Sequence, residues 1–193
     1  MVCYLVPKTL FIAGKKGSSA KTTLSLSIAR LVLDNWEGTK VAIRDLDHRQ
    51  NSSTQFSNYL KLPLVPEDQA DFIIVDSGGG LENMDTEYAR ADKIVLCCCP
   101  SPMDITVQQA YAKKELLSHV DKTKILWTRV KTIAGMDKKI VAGEGDYQNL
   151  FPDFKKMKNF MRETVAYKQF IMDGNLSGNI RNEIGMIMLE IQI

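Results

Sequence analysis

The sequence predicts an α/β fold: a mostly parallel, twisted sheet covered by helices on both faces. Three observations predict it. Short apolar runs alternate with helical patterns along the chain. The runs are nearly continuous rather than alternating, as in strands buried on both faces. Polar and charged residues suited to a site follow the ends of those runs, and ligands sit outside the carboxyl ends of the strands in such sheets. With 193 residues, 45% hydrophobic and 25% charged, the chain reads as one domain over 1–193.

The predicted strands are 9–13 (Thr9-Leu10-Phe11-Ile12-Ala13), 40–44, 72–75, 93–99 and 124–127. Helices are predicted near 22–33, 84–91 and 103–118. In the first of these, Leu24, Ile28, Leu31 and Val32 fall on one face. After Val130 the pattern weakens: Gly135, Gly143 and Gly145 among several charges predict a loop-rich connection. Helical segments follow at 162–172 and 179–191. The last carries Ile180, Ile184, Ile187 and Ile191 at three-to-four spacing, a core or dimer face. It lacks the flanking Lys/Arg of an interfacial anchor, having Arg181 against Glu183 and Glu190.

Composition excludes several classes. A net charge of +2 advertises no global nucleic-acid field. Locally, 113–168 holds 13 Lys/Arg against 7 Asp/Glu, either a basic surface for DNA phosphates or scattered solvated lysines. Cys3 and the triplet Cys97-Cys98-Cys99 form no disulfide or zinc pattern and read as small core residues in a reducing cytosol. Pro7 and Lys8 cut short the apolar start, unlike a signal peptide. No run approaches a membrane span.

Chemistry concentrates first in Gly14-Lys15-Lys16-Gly17-Ser18-Ser19-Ala20-Lys21-Thr22-Thr23. A strand, a small-residue loop and a helix opening on Lys-Thr can hold a triphosphate. Backbone N–H groups and the helix N-terminus face the anion, the lysine reaches the terminal phosphates and the hydroxyl binds magnesium. A turn that merely starts a helix is the alternative. The usual loop pattern has glycine where Lys15 and Ala20 stand. The second lysine, Lys16, five residues before Lys21, resembles the deviant Walker A loop of the ParA/MinD family of ATPases, especially small plasmid-partition members. The family's Lys-Gly-Gly-x-Gly-Lys-Thr/Ser stands here as Lys16-Gly17-Ser18-Ser19-Ala20-Lys21-Thr22.

Four further segments extend the resemblance. Asp45-Leu46-Asp47-His48-Arg49-Gln50-Asn51 is similar to the first switch, Asp-x-Asp-Pro-Gln-Gly-Asn. It implies Asp47 as the group orienting the attacking water, with Asp45 near the magnesium shell; a solvated Asp pair is the alternative. Arg49 and Gln50 depart from the pattern, and His48 reads as a surface loop residue. Phe72-Ile73-Ile74-Val75-Asp76 resembles a Walker B strand, with Asp76 at the magnesium. The family's following Thr-Pro-Pro-Gly is replaced by Ser77-Gly78-Gly79-Gly80, which predicts a more mobile second switch. Pro100-Ser101-Pro102-Met103-Asp104 resembles the Pro-Ser-Pro-x-Asp turn and also reads as a helix start, with Ser101 as N-cap. Thr128 and Arg129 stand where family members contact the base, and Arg162-Glu163-Thr164-Val165-Ala166-Tyr167 resembles a late Arg-x-Ala-Tyr segment.

The resemblance implies a sheet of the phosphate-loop (P-loop) NTPase type and an ATPase using ATP and Mg2+. Lys16, Lys21 and Asp47 would be catalytic. Lys15, Lys16, Gly17, Ser18, Ser19, Ala20, Lys21, Thr22, Thr23, Thr128 and Arg129 would bind nucleotide, and Thr22, Asp45 and Asp76 would serve the metal. It further implies an ATP-dependent homodimer in which Lys16 reaches the partner's phosphates. Its other partners would be non-specific DNA and a centromere- or DNA-binding adaptor protein, and its place the cytoplasm, with no stable membrane anchor. The role would be segregation of a plasmid or transferable element. A nucleotide-binding regulator with little turnover, suggested by Ala20, Arg49 and Gly78-Gly79, and a MinD-like membrane-positioning ATPase are the alternatives.

Overall fold

The computed structural model describes residues 7–17, 19–47, 50–79, 84–133 and 135–193. Cys3, Ser18, His48, Arg49 and Gly80, all named above, lie outside the described residues. Six parallel strands form one sheet in the order β2-β3-β1-β4-β5-β6. They are β1 (Lys8–Ala13), β2 (Val41–Asp45), β3 (Phe72–Asp76), β4 (Lys93–Cys98), β5 (Thr123–Trp127) and β6 (Lys155–Lys156). Five were predicted; β6, two residues long, carries no pattern to read. The helices are α1 (Lys21–Asn35), α2 (Ser52–Tyr59), α3 (Asp85–Arg90), α4 (Pro102–Tyr111), α5 (Gly135–Ala142), α6 (Val165–Asp173) and α7 (Gly178–Ile191).

Both faces of the sheet are covered, and strand alternation divides the core into two layers. Leu10 and Ile12 join α1, Phe170 of α6 and the α7 isoleucines; Phe11 and Ala13 join Tyr88 of α3, Ile105 of α4 and Ile140 of α5. Cys97 and Cys98 follow suit, one in each layer and fully buried. Burial pushes both thiols up, so they behave as small hydrophobes rather than nucleophiles. Ile180, Ile184, Ile187 and Ile191 are all buried against the core. Of the two readings offered for this stripe, core is the one realised. The Lys124 ammonium, at the start of β5, caps the carbonyls of Glu190 and Ile191 at the end of α7.

Three departures from expectation have physical causes. Helix α2 was not predicted because its buried residues are Ser53 and Ser57, which leave no apolar period. The predicted helix over 103–118 ends at Tyr111; a π-helical stretch, Ala112–Leu116, and a 3-10 stretch kinked at His119 carry the chain on to β5. Within the loop-rich connection, α5 forms with one buried residue, Ile140, too few to show in the sequence. Among the described residues no helix is long and apolar enough to cross a membrane.

Candidate functional site

The site lies at the carboxyl ends of β1, β2 and β3, where a cavity of about 350 Å³ is lined by Lys21, Thr22, Asp45, Asp47, Asp76 and Gly79, among others. The loop after β1 supplies its floor. Lys21 is 6% exposed, and its ammonium donates to the Lys16 carbonyl at 3.0 Å and to Ser19 Oγ at 3.4 Å. Ser19 Oγ donates in turn to the Lys16 carbonyl at 2.9 Å. Burial pushes the lysine below its ordinary range, opposed in part by Asp76, Asp47 and Asp104. Ala20 enters α1 in the left-handed region, φ 60°, without a side-chain cap. Thr128 does not face the cavity: it is fully buried, and its hydroxyl donates to the Ser19 carbonyl at 3.0 Å, bracing the loop from behind.

Asp76 ends β3 beside Asp45, its register partner on β2. It is 3% exposed, and burial raises its carboxyl from 3.8 to about 6, against the favourable Thr22 hydroxyl and Lys21 charge. Its Oδ1, and the buried Ser53 hydroxyl of α2, have no hydrogen-bond partner among the described residues. A buried carboxylate oxygen without a donor suits a hard cation. Among the described residues no three His, Cys, Asp or Glu side chains converge into a metal cage. A cation held by Asp76 and Thr22 would therefore complete its shell with phosphate oxygens and water, as magnesium does.

Asp45 has a second duty that the motif did not show. Its Oδ1 accepts the Asp47 N–H at 2.9 Å and its Oδ2 the Thr54 N–H at 3.2 Å, so it caps α2 from outside the helix. Asp47 accepts the Gln50 N–H through Oδ1 at 3.1 Å. Gly78 and Gly79, expected to free the second switch, have a further role in the structure. A Cβ at Gly78 would stand 2.8 Å from Asp47 Cβ, and one at Gly79 would stand 3.2 Å from the Gly17 nitrogen. These glycines allow the loops after β2 and β3 to close on each other and on the loop after β1.

Lys16 faces elsewhere. It lines a separate recess of about 270 Å³ with Cys99, Ser101, Asp104, Arg129 and Glu163. Ser101 does cap α4, accepting the Asp104 N–H at 3.3 Å, while Asp104 Oδ2 accepts the Cys99 N–H at 2.6 Å. Gln108, one turn further, was missed by motif reading. Fully buried, it accepts the Lys15 N–H through Oε1 at 3.1 Å. Only the i, i+4 spacing of two polar residues on a buried helix face hinted at it.

On the far flank a third cavity, about 450 Å³, is lined by Ala20, Thr23, Arg129, Glu163, Tyr167 and Ile171, among others. Arg129, at φ 56°, pairs with Glu163 at 2.9 Å; Tyr167 donates to Glu183 at 2.7 Å. The structure thus brings Gly17, Ala20, Lys21, Thr22, Thr23, Asp45, Asp47, Asp76 and Arg129 around two cavities that share Gly17, Ala20 and Thr23, with Lys16 in the recess beside them; Lys15, Ser19 and Thr128 line none of the three.

No protein-family model and no curated protein matches the chain. Solved structures do. Cyanothece McdA, in complex with ATP, matches with TM-score 0.74 at 15% identity over 97% of each chain. A putative plasmid partition protein from Borrelia burgdorferi bound to AMPPNP matches with TM-score 0.71 at 16% identity, over 96% of this chain and 98% of that one. The pNOB8 ParA bound to nonspecific DNA matches with TM-score 0.55 at 12% identity, over 96% and 100%. In fold, the chain matches the ParA/MinD P-loop ATPases.

Proposed function

We propose that this chain is a ParA-like ATPase. It binds ATP with Mg2+, hydrolyses it, dimerises on ATP and helps position or segregate plasmid DNA or a transferable element. The observation that carries the reading is one cavity in which a buried lysine, a helix-start threonine and an underpartnered carboxylate meet. The buried lysine and carboxylate are each costly alone, and a magnesium–triphosphate would relieve both: anionic oxygens for Lys21, a cation for Asp76. Magnesium would neutralise phosphate charge there, and Asp47 would hold water for in-line attack. Support for a dimer comes from Lys16, whose recess is separate from that of Lys21, as suits a lysine that serves a second copy.

The DNA and adaptor partners, and a cytoplasmic or nucleoid location, rest on weaker ground: the basic excess of 113–168 and a fold shared with a ParA solved on nonspecific DNA. A second reading, a regulator with little turnover, is favoured by the left-handed Ala20. Light scattering with ATP and phosphate-release assays separate the two. For the ATPase, Asp47→Ala should hold ATP as a long-lived dimer without turnover, and Lys16→Ala should bind ATP yet stay monomeric. Wild-type protein that binds ATP but releases no phosphate and stays monomeric would leave the regulator reading standing.

A further inference from the structure

Gln108 sits in the interior of α4 with half its hydrogen-bonding capacity unused. Its Oε1 accepts the Lys15 N–H across 93 residues of sequence, while its Nε2 has no partner among the described residues. An unused buried amide donor opposes folding, and an apolar side chain of the same shape would avoid that penalty. What the glutamine gives in return is a fixed Lys15 backbone. One residue later, the Lys16 carbonyl accepts from both Lys21 Nζ and Ser19 Oγ. The Lys15-Lys16 segment is therefore held at its N–H by α4 and at its C=O by the loop itself. Two anchors on opposite sides set where the Lys16 side chain leaves the loop, toward Asp104 and Arg129 rather than into the Lys21 cavity.

We propose that Gln108 is a positioning residue of the nucleotide site. It turns the Lys15 N–H toward α4, so the anion-binding N–H groups begin after Lys15 and the Lys16 side chain projects away from its own site. The nucleotide part of this assignment rests on the ATPase reading above; the backbone part does not.

The test pairs two variants. Gln108→Met keeps side-chain length and removes the acceptor; Gln108→Glu keeps an acceptor and removes the unused donor. Amide hydrogen exchange at Lys15, without nucleotide, reads the anchor, and titration calorimetry with ATP and Mg2+ reads the site. In Gln108→Met, Lys15 exchange should accelerate about tenfold or more while β1 amides stay as protected as in wild type, and ATP should bind about tenfold more weakly. In Gln108→Glu, Lys15 protection should persist. Wild-type protection or wild-type ATP affinity in Gln108→Met overturns the proposal, as does lost protection in Gln108→Glu. Should Gln108→Met fail to fold, the Glu variant decides alone in the same way. A wild-type protein that binds no ATP refutes the ATPase reading and with it the nucleotide part, while exchange at Lys15 still decides whether Gln108 holds the loop.

Discussion

The two flanks of the candidate site are built on opposite electrostatic principles. On the side of β1, β2 and β3, ionisable groups are buried and incompletely satisfied: Lys21 is pushed down and Asp76 up to about 6, both by burial. On the side of β5 and α6, charges are half-exposed and paired among themselves, Arg129 and Lys131 with Glu163, and Arg162 with Glu183. There the Glu163 carboxyl is held down by its hydrogen bond from Arg129. One flank carries unfavourable energy that a ligand can release; the other is settled and supplies shape. Perturbed groups in a cleft are how functional sites commonly look, and self-paired surface charges are how ordinary surfaces look.

The comparison breaks first, and by the widest margin, at Lys21. Lys21→Ala removes the only lysine among the described residues lining the cavity between the ends of β1, β2 and β3, and ATP binding should weaken at least about a hundredfold, the loss of a buried charge-assisted contact. Titration calorimetry checks this; affinity within a few-fold of wild type would remove the phosphate-loop assignment.

Asp76 sharpens it next. Its carboxyl is raised above the unfolded value, so folding favours the protonated form. Stability should therefore fall as pH climbs from 3.8 to about 6 and level off above that. Asp76→Asn, neutral throughout, should make the nucleotide-free protein more stable at pH 7 by about 2–3 kcal/mol, with the pH slope flattened. Denaturant melts at pH 4 and pH 7 measure both, and magnesium-dependent ATP binding should be lost in the same variant.

Ala20 gives a smaller, opposite effect. At φ 60° its methyl costs on the order of 1–2 kcal/mol, so Ala20→Gly should tighten ATP by up to about tenfold, with turnover rising or unchanged. Weaker binding in the glycine variant would mean the loop is adapted to alanine. The smallest effect belongs to the settled flank. Glu163→Gln should change stability by less than about 1 kcal/mol at pH 7. Because the Glu163 carboxyl is depressed, even that contribution should vanish as pH falls through its titration. Thermal melts at two salt concentrations would show it.

How much of this was legible in the sequence follows the same division. The buried flank announces itself because strands β1, β3 and β4 are apolar runs that end abruptly in Gly14, Asp76 and Pro100. Asp45, Asp47 and Asp76 could be placed at strand ends, and Lys21 and Thr22 at the opening of a helix, from the local pattern, while their roles came from the resemblance. What could not be read were contacts between segments far apart in sequence. Gln108 reaching Lys15, Thr128 bracing Ser19, and Asp45 capping α2 at Thr54 depend on sheet order, not local pattern. Serine-faced α2 was invisible because it buries no apolar residue, and α5 because it buries one. The glycines after Asp76 were read through their chain freedom; their small volume is what the structure uses.

That volume ties two stretches of sequence into one unit of inheritance. The loop after β3 and the loop after β2 pass so close that any side chain at Gly78 would enter space held by Asp47. Threonine-proline-proline, as the resembling family carries it, could not simply be grafted after Asp76; Asp47 would first have to step back by several tenths of an ångström. A chimera exchanging either loop alone should therefore lose the alignment of Asp47, while exchanging both together should keep it. The diglycine makes the position of one side chain depend on the smallness of another, thirty-one residues away.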